Sequence, residues 1–158
     1  MTKAIYLVMD LVNDIVHADG PNGQQPLGLE VKRRRVLENT AAAIAKARSA
    51  GIPIGFVRVG FSESYGECSA VSPLFTAIRS AGILKLGSWG TEVHPAVAPA
   101  AGDLDIVKHR VSPFYGTNLE PILRGNGIRR LYLSGVSTNF VVTSAVREGH
   151  DRDYEIVV

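Results

Sequence analysis

The chain has 158 residues and a formal net charge of +2, with 46% apolar and 20% charged residues. That length suits one domain with a single core, and the small charge offers no case for nucleic acid or an acidic membrane as partner. What remains is a soluble globular protein that handles a small molecule. One cysteine, Cys68, has no internal disulfide partner, which fits a reducing cytoplasm.

Ala4 to Met9 is a continuous apolar run, predicted to be a central strand buried on both faces. It is too short for a signal peptide or a membrane span. A polar loop rich in Gly and Pro spans Asp19 to Gly28. From about Glu30 to Ala50, Leu37, Ala41, Ile44 and Ala45 recur at helical spacing, with Lys32, Arg33, Arg34, Arg35 and Lys46 free to face water. Gly51 and Pro53 end that helix, and the basic run reads as its solvated face. Pro53 to Phe61 is the second strand. Ser72-Pro73 starts a short helix closed by Gly82. Asp105 to Lys108 is the third strand, and Thr117 or Asn118 caps a helix ending near Gly125. Arg130 to Ser134 is the fourth strand, Asn139 to Gly149 a helix, and Tyr154 to Val158 the fifth strand.

Strands alternating with helices predict one three-layer α/β/α domain over residues 1–158, built on an open, mainly parallel sheet of Rossmann-like topology. Ligands in such sheets bind at the carboxyl ends of the strands. Asp10, Lys108 and the turn at Ser137 all fall there. No G-x-G-x-x-G follows the first strand, so no dinucleotide cofactor is expected, and no cofactor of another kind is indicated.

Asp10 ends an apolar strand, where its carboxylate would sit partly desolvated unless a cation answers it. It could serve catalysis, or cap a turn as Asn13 or Asp14 could. Lys108 is either that cation or merely exposed. The turn from Gly135 to Asn139 presents unpaired N–H groups at a helix start, the geometry of an oxyanion hole. Val141, one turn on, has no lone pair and reads as core packing. His17, His94, His109 and His150 lack metal-ligand spacing.

Four stretches in order resemble the motifs of the isochorismatase-like, or cysteine hydrolase, superfamily. They are Val8-Met9-Asp10-Leu11-Val12-Asn13-Asp14, Gly87-Ser88-Trp89-Gly90-Thr91-Glu92-Val93, Val107-Lys108 through Gly116-Thr117, and Gly135-Val136-Ser137-Thr138-Asn139. The resemblance implies that Asp10 and Lys108 are the acid/base and the lysine of an Asp-Lys-Cys triad. It implies a cis peptide at Val136–Ser137, an oxyanion hole at the N–H groups of Ser137 and Val141, and substrate contacts from Ile15 and Asn139. It also implies a homo-oligomer, dimer or tetramer.

Two departures shape the functional expectation. Val141 stands where the family carries its nucleophilic cysteine, and Val12 replaces the usual Gln. After the second strand, Gly60 to Glu67 holds none of the histidines that bind zinc in nicotinamidases, so no metal is expected. The resemblance therefore implies a hydrolase working through Asp10 and Lys108 without a covalent step, on an amide C–N or vinyl-ether bond. The alternative is a homologue that binds its ligand without turning it over. The family pattern also leads one to expect a further strand and helix after Val158, without which an edge strand would invite association.

Overall fold

The computed structural model describes residues 2–158. Five strands form one sheet, β1 (Ala4–Met9), β2 (Ile54–Val59), β3 (Leu104–Lys108), β4 (Arg130–Gly135) and β5 (Glu155–Val157). The order is β3-β2-β1-β4-β5 and every pairing is parallel. The chain winds outward from β1 to β3, then crosses back to place β4 on the other side of β1. That reversal opens a crevice at the carboxyl ends of β1 and β4.

Strand alternation divides the core in two. Ile5, Leu7 and Met9 face a cluster with Leu119, Leu123 and Ala145, supplied by α5 (Leu119–Gly125) and α6 (Thr143–Asp151). Tyr6 and Val8 face the opposite way, toward Val31, Ile44 and Ala47. Helices thus cover both faces, giving three layers, with β1 buried from Ile5 to Met9 as its unbroken apolar run requires. A third cluster, with Phe61, Tyr65, Phe75 and Leu84 at its centre, packs α4 (Pro73–Ala81) over the strand ends.

The helix expected over Glu30 to Ala50 is two helices, α2 (Pro26–Arg33) and α3 (Val36–Ser49), separated at Arg35 in the left-handed conformation (φ 53°). The apolar stripe explains the break. Positions three and four beyond Val31 are Arg34 and Arg35, so a continuous helix would carry charge into the core; the kink brings Val36 and Leu37 back to it. Lys32 to Arg35 are exposed, with Glu30 pairing Arg33 and Arg34. A four-residue helix, α1 (Asn13–Val16), and two 3₁₀ turns, Trp89–Thr91 and Pro95–Val97, lie in stretches for which the sequence predicts no element. Each is too short to carry a periodic signal. Among the described residues no helix is long and apolar enough to cross a membrane.

Candidate active site

Asp10 continues β1 by one residue, its N–H donating to Val57 O at 2.7 Å, and then turns with a positive φ of 59°. A non-glycine residue in that region is uncommon, and short polar side chains tolerate it best. The turn points the carboxylate back over the end of β2, where Oδ1 accepts the Val59 N–H at 2.9 Å. Val59 pairs in register with Lys108 of β3. From there the lysine side chain reaches past β2 to place Nζ 2.8 Å from Asp10 Oδ2. Nζ also donates to Arg110 O at 3.0 Å.

Both charged groups are withdrawn from water, Asp10 at 5% and Lys108 at 2% exposure. Burial raises the Asp10 carboxyl above its ordinary value; the Lys108 charge, its hydrogen bond and the Val59 N–H act against that rise. Asp10 is no helix cap, since α1 starts at Asn13 without a side-chain cap. Its neighbours do the structural bonding. Asp14 accepts the Leu84 N–H at 2.7 Å, and Asn13 donates to Trp89 O at 2.9 Å. Gly90 packs so closely on the Asp14 carboxylate that a Cβ there would lie 2.2 Å from an oxygen.

On the other side of the crevice, β4 ends where Gly135 presses on Met9 O, which a Cβ would meet at 2.3 Å. The Val136–Ser137 peptide is cis. Residues Thr138–Val142 then form one wide π turn before α6 starts at Thr143, so the helix expected from Asn139 opens one residue earlier as a π turn and becomes α-helical only at Thr143. Ser137 O accepts the N–H groups of Phe140 and Val142 at 3.2 and 3.4 Å. The Ser137 N–H itself meets no acceptor among the described residues. Val141 is 1% exposed and packs with the α5 and α6 core.

Asp10, Lys108, Ser137, Val141 and Ile15 line one cleft of about 650 Å³, within the range of small-molecule sites. Asn139 is placed otherwise. It is exposed and lines a neighbouring hollow with Glu30 and Arg34, because the π turn carries Thr138 and Asn139 outward while Phe140 lines the cleft. Three features of the cleft escaped the sequence reading. Leu74, Phe75 and Ile78 of α4 form its apolar wall, the Val59 backbone anchors Asp10, and Arg110 lines it as a second cation. Only Arg110 had a sequence signal, two residues beyond Lys108 within a motif that matched.

Cys68 lies outside the cleft, its thiol donating to Phe75 O at 3.2 Å and pushed up in pKa by burial. His17 and His94 meet with their rings tilted and centroids 5.0 Å apart, and His109 bonds Gly60 O. Among the described residues no three His, Cys, Asp or Glu side chains are grouped to hold a metal.

The isochorismatase domain family matches residues 4–158. The chain is 33% identical over 165 aligned positions to the ureidoacrylate amidohydrolase RutB of Methylorubrum extorquens, covering 97% of this chain and 60% of that protein. It thus spans about three-fifths of the length of the curated relatives it matches. Among solved structures, N-carbamoylsarcosine amidase from Thermoplasma acidophilum is 29% identical with a TM-score of 0.78, over 98% of this chain and 80% of the other. An isochorismatase family protein from Desulfovibrio vulgaris superposes with a TM-score of 0.85 over 100% and 80%, at 23% identity, a likeness of fold alone. With that family matched over nearly its whole length and the fold in agreement, the chain belongs to the isochorismatase family.

Proposed function

We propose that this chain is a small-molecule hydrolase that cleaves an amide-type C–N bond without a covalent enzyme intermediate. The observation that carries the reading is the buried Asp10–Lys108 pair, 2.8 Å apart, on the wall of a cleft that also holds Ser137 and Val141. Relatives named as an ureidoacrylate amidohydrolase and an N-carbamoylsarcosine amidase support the bond type.

In this scheme an ionised Asp10 takes a proton from water as the water oxygen bonds to the substrate carbonyl carbon. The carbonyl π electrons move onto oxygen, and the oxyanion is met by the Ser137 N–H and the N–H of residue 141. Collapse re-forms the carbonyl and breaks the C–N bond, and Asp10 returns its proton to the departing nitrogen. Lys108 keeps Asp10 oriented and favours its ionised form. Val141 fills the space of a nucleophile with methyl groups, so no acyl-enzyme forms. Ile15 and Phe140 would contact the substrate from the cleft walls.

A second reading, a protein that binds without turnover, is favoured by one observation: Val141, which also packs into the core, presents only apolar methyl groups to the cleft. Assaying ammonia release from a panel of ureido acids with the protein and with Asp10→Asn separates the two. Turnover lost in the variant supports the hydrolase. Ligand binding with no turnover in either protein leaves the binder.

A further inference from the structure

Two histidines from distant stretches of the chain meet in space. His17 follows the last residue of α1, and His94 precedes the 3₁₀ turn Pro95–Val97. Their ring centroids are 5.0 Å apart, and the Trp89 ring stands nearly perpendicular to His17 at 5.0 Å. Each ring makes the same local bond: Nδ1 of His17 accepts the Asp19 N–H and Nδ1 of His94 accepts the Ala96 N–H, both at 3.1 Å. A ring nitrogen that accepts a hydrogen bond carries no proton, so in this arrangement each imidazole is neutral with its hydrogen on Nε2. Both rings sit on segments that shape the cleft. The His94 N–H donates to Leu11 O at 2.8 Å, one residue beyond Asp10. The loop that leaves His17 presents Pro21, Asn22 and Gln25 to the cleft. Few charges surround the pair. Asp19 Oδ2 lies 3.8 Å from His17 Nδ1 and can answer a charge there. Glu38 of α3 and Lys32 of α2 line the same hollow as His94, yet no carboxylate among the described residues pairs with its ring. Glu92 joins the site through its carbonyl, which accepts the Asn13 N–H at 3.0 Å.

We propose that the His17–His94 pair is a proton-operated latch on the cleft: with both rings neutral it joins the loop after α1 to the 3₁₀ turn Pro95–Val97, and a proton on His94 releases that joint and loosens the wall at residues 21–25. Charging the His94 ring weakens the closed form in two ways at once. A hydrogen on Nδ1 replaces the acceptor of the Ala96 N–H with a donor, and the new cation faces the His17 ring rather than a carboxylate. Burial, and after it the neighbouring His17, holds His94 below the ordinary histidine value of 6.5. The open form takes its proton at that ordinary value and the closed form only at a lower one. Opening is therefore favoured as pH falls below 6.5 and is not driven above it. The latch concerns the shape of the cleft and holds with or without turnover.

The test is amide hydrogen exchange read by mass spectrometry at about pH 7.5 and about pH 5, on either side of the histidine range, with rates corrected for the intrinsic effect of pH. Peptides covering residues 17–25 and 94–98 should lose about three- to tenfold in protection at the lower pH, as one proton is taken up per opening. Peptides of β1 and β4 should keep theirs. His94→Asn retains a side-chain oxygen that can accept the Ala96 N–H as an Asx turn but does not titrate, and it should abolish the step. His17→Asn should shrink it, because the neighbouring ring is gone. A fall of the same size in His94→Asn, no fall in the unmodified protein, or a fall spread equally over the strands would each overturn the proposal. A second measurement needs no variant: in NMR of the unmodified protein, the His94 ring and the Asp19 and Asn22 amides should titrate with one midpoint. Separate midpoints would overturn the latch even if His94→Asn did not fold.

Discussion

The two sides of the cleft are built from opposite materials. On the β1 and β3 side, Asp10 and Lys108 are buried charges held by each other, by the Val59 N–H and by Arg110 O. On the β4 side, the turn that meets them is apolar at Val141, which belongs to the core under α6. A buried ion pair adds little stability beyond what packed apolar residues would give, whereas a valine in a core is ordinary packing. The charged side is thus hard to explain by folding alone, while the valine side needs nothing beyond folding. The contrast supports the proposed role of Asp10 and Lys108.

The largest expected effect comes from removing the charge to which the proposed mechanism assigns the proton transfer while leaving its shape. Asp10→Asn should lower ammonia release by about 10²- to 10⁴-fold, the usual worth of a positioned acid/base. A variant that retains most of the rate would break the contrast. Next is the partner: Lys108→Met leaves a buried carboxylate unanswered and should cost roughly 3–5 kcal/mol of stability in urea unfolding, with the Asp10 carboxyl rising further.

The pH profile carries a sign. Because burial holds the Asp10 carboxyl above its ordinary value of 3.8, a base mechanism predicts that rate climbs as pH rises through that raised value and then levels. A falling limb would assign Asp10 as an acid instead. Stability runs the other way. The folded state keeps this proton more tightly than the unfolded chain, so the favourable contribution is full below the unfolded value and is lost as pH rises through the folded one. Urea midpoints measured against pH should decline over that window in the unmodified protein and flatten in Asp10→Asn.

On the valine side, effects should be structural and smaller. Val141→Ala removes two buried methyl groups, worth about 1.6 kcal/mol at ~0.8 each, with no specific effect on ligand binding. Back on the β1 side, Gly90→Ala, which forces a Cβ against the Asp14 carboxylate, should cost about 1–3 kcal/mol through overpacking. The variant that could erase the contrast is Val141→Cys, which places a thiol beside the Ser137 turn. Amidase activity appearing only in that protein, with labelling by iodoacetamide, would reveal an intact triad frame.

Much of this was legible in the residues. The unbroken apolar run of β1 announced a strand buried on both faces, and the spacing of Ser72-Pro73 and Gly82 marked both ends of α4. Asp10, Lys108 and Ser137 could be set at strand ends because strand ends are local features. Asn139 misled because a π turn is not distinguishable from a regular helix start by residue type, and it moved that side chain out of the cleft. The break at Arg35 was readable in the gap after Val31, but only the need of Val36 to return to the core made it a kink.

The sequence by itself determined the strands and the family, since each depends on residue type and local order. Only the tertiary structure decided that Lys108 spans β2 to reach Asp10, that α4 walls the cleft, and that His17 meets His94. Those facts depend on what segments far apart in the chain do to one another's water and charge, and parallel β-α-β winding brings such segments together without leaving a local mark.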